Sequence, residues 1–402
     1  MIRRVHIQGF KTAIDVTLEL GQLNVFVGPN GSGKTNVLEA IGLLGCAASG
    51  RVDYDAFRVR GVRQGTPVLY KSALRAGKRL LRGITLEATS DRARYRVSLG
   101  NPVESRAVSW RYASEELVED GQELGARSPR KGSITLDGQG NKKQFKQEED
   151  VGLGPAMHPY GEGALNELLR TLERYTLYTP FTQVLAGALQ ELAPRTPLGP
   201  LGGSLAQCAY SLRSHPDVWK RVLEETFAVV DWADNARVEA TTGWPARGAS
   251  ASGQKILRLR DRFMKPDVPW LSTREVNEGM LYVLFLFMLL LHPHTPPMVA
   301  IDNVEHTLNP RLVRRLLTRV QQILREEPRR PQLLLTTQHP SVLDALDIRG
   351  DAVRLFTVTR GQGGATAVER FPYTDALAEL GEDGMTLSEL WTSGALGGMP
   401  VL

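Results

Sequence analysis

Eight consecutive residues near the start of the chain have the types and spacing of a loop that holds phosphate groups. They match the pattern G-x-x-x-x-G-K-[ST] at every fixed position and run Gly28, Pro29, Asn30, Gly31, Ser32, Gly33, Lys34 and Thr35. Glycines let the backbone curl so that successive N–H groups face an anion, and a following helix adds its positive dipole end. The pattern predicts that Lys34 reaches the β- and γ-phosphates of a nucleotide and that Thr35 binds Mg²⁺ through its hydroxyl.

A loop of this kind needs an acidic residue at the end of a neighbouring strand to help hold the metal ion. Residues 297–301 are an apolar run that ends at Asp302. We therefore expect Asp302 to hold Mg²⁺ through water, with Thr35 as the other metal residue and ATP as the nucleotide.

The elements that position these residues follow from hydrophobic periodicity. Residues 23–27 predict a buried strand directly before the loop, and residues 36–46 predict a helix directly after it. Further strands are predicted at 2–7, 13–20, 67–70, 83–88, 93–99, 236–265, 298–301, 333–337 and 353–359. Helices are predicted within 163–232, interrupted by turns at 194–203, and at 278–291, 310–326 and 341–346, while residues 125–150 predict a surface hairpin or loop.

The composition is ordinary for a globular chain of 402 residues, with 42% hydrophobic and 23% charged residues. A net charge of +5 permits contact with nucleic acid but does not require it. Two cysteines, Cys46 and Cys208, are typical of a reducing compartment. The longest apolar run, residues 280–291, is shorter than the ~20 residues that a membrane-spanning helix needs. We therefore expect a cytoplasmic protein with no membrane partner.

Several segments give the chain a resemblance to a known family. Phe10 and Lys11, the phosphate loop with the following Asn36, and Asp-x-x-Glu-x-x-Leu-x-Pro at residues 302–310 resemble the ABC-type ATPase heads of the RecF, SMC and OLD-like group. Within that group the chain is similar to compact bacterial AAA family ATPases of the AAA-21 and AAA-15 types. Weaker likenesses follow in the family's order at residues 201–206, at 277–279 in place of a Ser-Asp-Gly signature, and at 336–340 in place of a Thr-Thr-His-Ser-Pro switch segment.

The resemblance implies an α/β fold, namely an ABC-type P-loop ATPase head with a mixed central sheet, an antiparallel N-terminal β-subdomain and an inserted helical subdomain. The expected domains are an N-terminal ATPase lobe with the P-loop and β-subdomain at residues 1–160, a helical insertion at 161–235, and a C-terminal ATPase lobe at 236–402. The last of these would carry the signature, the Walker B strand and the switch segment.

The resemblance also implies a homodimer in which two heads hold ATP between them. Asn36 joins the nucleotide-binding residues, and Asn277 and Gly279 would contact the γ-phosphate bound by the partner. Asn277 also has the position of a helix cap, and both roles can hold at once. DNA and a separately encoded nuclease or effector are further expected partners, in DNA repair or anti-phage defence.

Three positions depart from the family's pattern, and two of them concern the candidate catalytic residues. Asn303 stands where a Glu usually positions the attacking water, and an amide cannot accept a proton. Glu305 either substitutes for that residue or has a structural role. Gln338 replaces the usual switch His; a Gln can orient water, and the neighbouring His339 is either catalytic or a satisfied loop residue.

Together with Asn277 in the signature, these changes predict slow hydrolysis, or the use of ATP mainly as a dimerisation switch. Two alternatives stay open. One is a nucleotide-gated scaffold that does not hydrolyse ATP, and the other is a solitary RecF-like repair factor that binds DNA itself.

Overall fold

A computed structural model of the chain describes residues 1–74, 83–100, 110–128, 132–136, 142–145, 148–158, 162–192, 195–240, 255–268, 270–327, 330–375, 377, 379 and 385–394. These residues form two compact units. The first contains Met1–Leu177, Pro296–Val304 and Pro331–Leu402, and the second contains Tyr178–Thr295 and Glu305–Arg330. The division into domains at 1–160, 161–235 and 236–402 stays a prediction.

The strands are, in chain order, β1 (Arg4–Phe10), β2 (Ala13–Glu19), β3 (Leu23–Val27), β4 (Gly83–Thr89), β5 (Ala93–Gly100), β6 (Arg111–Glu119), β7 (Gln122–Ser128), β8 (Gly132–Leu136), β9 (Lys142–Phe145), β10 (Thr176–Tyr178), β11 (Ala233–Ala240), β12 (Lys255–Asp261), β13 (Leu271–Ser272), β14 (Met298–Ile301), β15 (Gln332–Thr337), β16 (Val353–Arg360) and β17 (Thr366–Phe371). The helices are α1 (Lys34–Ala48), α2 (Tyr54–Val59), α3 (Pro67–Tyr70), α4 (Gly154–Met157), α5 (Ala164–Arg174), α6 (Thr182–Leu185), α7 (Leu205–Ser211), α8 (Pro216–Val229), α9 (Glu278–Leu291), α10 (Pro310–Glu326), α11 (Pro340–Leu343) and α12 (Leu387–Thr392).

The sheet that carries the phosphate loop has the strand order β10-β14-β15-β3-β16-β17. β3 pairs in parallel with both β15 and β16, β14 pairs in parallel with β15, and the β16–β17 pair is antiparallel, so the sheet is mixed. All five residues of β3 are buried, as a nearly continuous apolar run requires when both faces of a strand are covered. Because β3, β14 and β15 are parallel, their carboxyl ends meet at one edge of the sheet.

A second sheet in the same unit is antiparallel throughout the pairings that its described strands make, with the order β2-β1-β4-β5-β6-β7-β8-β9. Buried residues alternate along β5, as in a sheet with one covered face. The buried face and α1 contribute to one hydrophobic core, which includes Tyr95, Tyr112 and Leu38. Within the predicted hairpin or loop at 125–150, the structure describes β8, β9, the end of β7 and a turn that includes residues 149 and 150; the other residues, apart from 148, lie outside the described part of the chain.

The second unit combines helices with a small antiparallel sheet of order β11-β12-β13. At its centre is α9, in which all but the first of 14 residues are buried. α10 is joined to α8 by a bidentate ion pair, in which Arg319 donates to both carboxylate oxygens of Glu225 at 2.8 and 2.9 Å. This unit holds the predicted helical region from residue 178 onward and part of the predicted C-terminal lobe, whereas α5 belongs to the first unit.

One predicted element is wrong in type. Residues 67–70 were expected to be a strand and instead form α3, because Pro67 has no N–H to donate and its fixed φ suits the first helical turn. The strands β6, β10, β13 and β17 were not predicted. Within the described residues, no helix is both long enough and apolar enough to cross a lipid bilayer.

Candidate functional site

The loop between β3 and α1 has the backbone conformation of an anion cradle. Gly31 (φ 76°) and Gly33 (φ 109°) both lie in the left-handed region, where a side chain is strained. Gly33 is also the N-cap of α1, so the loop runs directly into the positive end of a helix dipole. The hydroxyl of Ser32 is buried and has no hydrogen-bond partner among the described residues. A buried orphan donor inside a glycine loop fits a phosphate ligand.

Lys34 lies across the mouth of this loop. Its ammonium donates hydrogen bonds to the carbonyls of Gly28 at 2.7 Å and Pro29 at 2.9 Å. The residue is only 7% exposed, so its ammonium group is buried next to the backbone of the loop. Pro29 is half-buried and Asn30 is exposed at the tip of the loop.

Thr35 and Asp302 are in direct contact. The Thr35 hydroxyl donates a hydrogen bond of 2.9 Å to Asp302 Oδ2, which joins the first turn of α1 to the end of β14. Asp302 Oδ1 accepts a second bond from Thr336 on β15, at 2.5 Å. The two residues expected to hold Mg²⁺ are therefore adjacent, with oxygen ligands of the type that this ion prefers.

The remaining candidate residues of the first unit lie at the same sheet edge. Asn303 follows Asp302 directly, has a left-handed backbone (φ 54°), and donates its N–H to the Thr336 hydroxyl at 2.9 Å. Gln338 and His339 follow β15 and are both exposed. His339 caps α11, because its Nδ1 accepts the N–H of Ser341 at 3.2 Å. The loop role of His339 is thus visible, and its catalytic role stays a prediction.

Three candidate residues lie in the second unit. Asn277 is the N-cap of α9, and its side-chain oxygen accepts the N–H of Met280 at 2.8 Å. Gly279 is buried in the first turn of the same helix. The carbonyl of Glu305 accepts the N–H of Leu308 at 3.0 Å within the turn that precedes α10. The capping role expected of Asn277 is present, and its contact with a partner's nucleotide stays a prediction.

A buried carboxylate that the sequence analysis did not identify supports α1. Glu39 is fully buried one turn beyond Thr35, with Lys11 in contact with one oxygen and Arg63 donating to both. Burial acts to raise the pKa of Glu39, but the Arg63 hydrogen bond and the Lys11 charge outweigh it and hold that pKa below its usual value. Burial lowers the pKa of Lys11.

Arg63 is close to the candidate site itself. Its guanidinium donates to Asn36 Oδ1 at 3.3 Å, and the pKa of Arg63 is raised, chiefly by the Glu39 hydrogen bond and to a smaller extent by the charge of Asp302. Nothing in the local sequence marks Glu39 or Arg63, because their pairing depends on the tertiary fold. Thr336 had a signal, since it belongs to the segment that resembles the family's switch.

Several known protein families and proteins are similar to this chain. A family model described as "AAA domain, putative AbiEii toxin, Type IV TA system" matches residues 223–344, and one described as "AAA ATPase domain" matches residues 1–53. The DNA replication and repair protein RecF of Renibacterium salmoninarum is 30% identical over 167 residues, which are 40% of this chain and 36% of that protein. The OLD nuclease of Thermus scotoductus is 46% identical over 44 residues, which are 11% of this chain and 8% of that protein.

Among solved structures, the Smc head bound to the C-terminal winged-helix domain of ScpA has a TM-score of 0.52 at 12% identity, covering 96% of this chain and 99% of that one. The sequence matches thus span about a third or less of the curated relatives, while the structural match spans nearly the whole chain. The predicted resemblance to the ABC-type ATPases of the RecF, SMC and OLD-like group is confirmed, and the fold is that of an ABC-type P-loop ATPase head.

Proposed function

We propose that this chain is an ATPase that binds ATP and Mg²⁺ at residues 28–36, closes into a homodimer on ATP and hydrolyses it slowly. The observation that carries the proposal is the 2.9 Å hydrogen bond between Thr35 and Asp302. It joins the residue after the loop lysine to a carboxylate at the end of a nearby parallel strand in the same sheet. A magnesium ion bound to a nucleotide phosphate requires such a pair.

The residues present fit both ligands. Left-handed glycines and the buried Ser32 hydroxyl, which has no hydrogen-bond partner in the described part of the chain, suit phosphate oxygens, and Lys34 would exchange its loop carbonyls for them. Thr35 and Asp302 would hold Mg²⁺, which when bound neutralises charge on the phosphates. Asn303 and Gln338 can orient water through their amides but cannot accept its proton. Glu305 is the candidate in this chain for accepting it.

The first experiment compares ATP binding and phosphate release by the wild type, Lys34→Ala and Glu305→Gln. We expect Mg²⁺-dependent ATP binding and slow release by the wild type, and a loss of binding of about 100-fold or more in Lys34→Ala, because a charge-assisted contact disappears. Glu305→Gln should keep binding and lose turnover. Lys220→Ala is the matched control, because Lys220 is exposed on α8 and, among the described residues, forms an ion pair with Glu224. If the wild type fails to bind ATP, the proposal is wrong.

A second candidate function is a nucleotide-gated scaffold without hydrolysis. The observation that favours it is Asn303, an amide at the end of β14 where proton abstraction would need a carboxylate. Tight ATP binding together with undetectable phosphate release by the wild type would favour the scaffold over the ATPase.

We also propose that the ATP-bound dimer acts on DNA or controls a separately encoded nuclease or effector, in DNA repair or anti-phage defence. The likeness to proteins named for DNA repair and for nuclease activity supports this, and the net charge of +5 permits it. DNA titrations with and without ATP, at two salt concentrations, are the test. Salt-dependent binding without a partner would favour a solitary RecF-like factor, whereas no binding with ATP present would favour an effector.

A further inference from the structure

A line of four polar groups, joined by three hydrogen bonds, connects the phosphate loop to two parts of the chain that are distant from it in sequence. The Asn36 amide donates to the Thr12 hydroxyl at 2.8 Å, and the Thr12 and Thr366 hydroxyls are 2.7 Å apart. The Thr366 hydroxyl in turn donates to the carbonyl of Ser32, inside the loop, at 2.8 Å. Thr12 is in the turn after β1 and Thr366 begins β17.

The direction of this line is fixed by proton counting. A hydroxyl has one hydrogen to donate. The hydrogen of Thr366 is on the Ser32 carbonyl, so Thr12 is the donor to Thr366, and the Thr12 oxygen accepts from Asn36. The backbone N–H of Thr366 also donates to the Thr12 carbonyl, at 2.8 Å, which holds the two threonines side by side. The hydrogens of both threonine hydroxyls are used, and the line ends on the loop.

The bond to the Ser32 carbonyl has a consequence for the opposite face of the loop. A trans peptide group is planar, with its C=O and N–H pointing in opposite directions. The peptide that contains the Ser32 carbonyl also contains the N–H of Gly33. Holding that carbonyl outward toward Thr366 therefore turns the Gly33 N–H inward, to the side that a phosphate would occupy.

The same threonine accounts for the residue type at position 33. A Cβ built on Gly33 would lie 2.0 Å from Thr366 Oγ1 and 3.0 Å from Thr12 Oγ1. The left-handed φ of 109° already favours glycine there, and the two hydroxyls leave no space for a side chain. The threonine pair and Gly33 thus form one structural unit.

We infer that Thr366, with Thr12, is a positioning residue that sets the phosphate loop for nucleotide binding without touching the nucleotide. The inference rests on the proposed binding of ATP at this loop. It assigns to the β16–β17 hairpin, more than 300 residues from the loop in sequence, a part in the affinity for phosphate.

The test is isothermal titration of the full chain with ATP and with ADP, for the wild type, Thr366→Val and Thr366→Ser. Thr366→Val removes the donor and keeps the shape, so we expect both affinities to fall about tenfold, since a lost buried hydrogen bond has this effect. Thr366→Ser keeps the donor and should stay within about twofold of the wild type. Thr12→Val should weaken binding in the same direction, and the double valine variant should be no weaker than Thr366→Val, as expected for groups that act as a unit.

Thr357→Val is the matched control. Thr357 lies on the same hairpin, and its hydroxyl donates to the carbonyl of Glu369 on the neighbouring strand at 3.5 Å. It should leave both affinities unchanged, whatever its effect on the unfolding temperature. The inference is overturned if Thr366→Val binds as the wild type does, or if Thr366→Ser or Thr357→Val loses as much affinity as Thr366→Val. A wild type that binds neither nucleotide would instead overturn the proposed function, and the inference with it.

Discussion

The Thr336 hydroxyl donates a 2.5 Å hydrogen bond to Asp302 Oδ1, and its oxygen also accepts the N–H of Asn303 at 2.9 Å. The other carboxylate oxygen, Oδ2, is bonded to Thr35. Each carboxylate oxygen of Asp302 therefore accepts a hydrogen bond from a different residue. The side chain that orients the candidate metal residue comes from β15, the strand next to the one that carries it.

Thr336→Val should weaken the effect of Mg²⁺ on ATP affinity. The substitution removes the hydrogen bond that Asp302 Oδ1 accepts and leaves the Thr35 bond to Oδ2, so we expect a loss of about tenfold or more. Titrating ATP at several Mg²⁺ concentrations measures it. Thr337→Val is the neighbouring control, because the Thr337 hydroxyl accepts from His339 and does not contact Asp302. An unchanged Mg²⁺ dependence in Thr336→Val would contradict the role given to Thr336.

Asn303→Asp should raise the rate of phosphate release several-fold, because it places a proton acceptor at the end of β14. The backbone allows the change, since Asn and Asp both tolerate the left-handed conformation seen at this residue (φ 54°). Asn303→Gly keeps that conformation and removes the amide, so it should slow release if the amide orients water. Equal rates for all three proteins, measured with a phosphate sensor, would remove residue 303 from the catalytic residues.

Gly279→Ala should affect dimerisation without lowering the stability of the folded chain. A Cβ on Gly279 would meet only ordinary contacts, the nearest being Leu308 Cδ2 at 3.5 Å, and Ala favours the helix by up to about 1 kcal/mol. The free energy of unfolding should therefore stay equal or rise. The proposed ATP-dependent dimerisation should be lost, because the added methyl group would lie in the helix turn that the proposal places against the partner's γ-phosphate.

Light scattering after gel filtration, with and without ATP, measures the Gly279→Ala dimer, and ATP titration of the monomer serves as the control. A variant that still dimerises on ATP would show that Gly279 is not at the interface.

Glu115 gives the folded chain a pH dependence of its own. Burial raises the pKa of Glu115 to about 7, against the opposing effects of the Leu153 N–H and Arg127. A carboxyl whose pKa is raised on folding stabilises the folded state most when protonated. The contribution of Glu115 to the free energy of unfolding is therefore complete below about pH 4 and is lost as the pH rises to about 7. Between about pH 5 and about pH 8 the loss should be about 2–3 kcal/mol.

The measurement is the difference in unfolding free energy between Glu115→Gln and the wild type, followed across that pH range. Comparing the two proteins is necessary because the pKa of His292 is lowered to about 4 by burial and by His294 and His215. A lowered histidine pKa gives the opposite slope, with stability gained as the pH rises toward about 6.5. The free energy of unfolding of Glu115→Gln should rise relative to that of the wild type as the pH rises. A difference that does not change with pH would contradict the raised pKa of Glu115.

Where a local signal marks an element, the sequence predicts it closely. The predicted helices at 278–291 and 310–326 coincide with α9 and α10. Both begin after an asparagine that caps the helix, Asn277 and Asn309, and the second has Pro310 in its first turn. The strand, loop and helix around the phosphate cradle were predictable for the same reason, since the motif defines all three.

The supporting residues were not predictable, because their partners are distant in sequence. Glu39 is an ordinary acidic residue within a helix until the fold brings Lys11 and Arg63 to it. Thr366 lies 334 positions from the carbonyl that it holds. β17 itself was missed because only Thr366 among its residues is buried, which leaves no hydrophobic alternation to detect.

The pairing of β3 has a consequence for how the chain is made. Its two neighbours in the sheet, β15 and β16, begin at Gln332 and Val353, so a ribosome must synthesise some 300 further residues before this apolar strand has a partner. For most of its synthesis, a nascent chain therefore carries the apolar segment Leu-Asn-Val-Phe-Val without its partner strands. Unpaired apolar strands of this kind are aggregation-prone and are bound by chaperones. A truncated product that stops before β15 would keep the complete glycine motif yet lack the sheet that holds it.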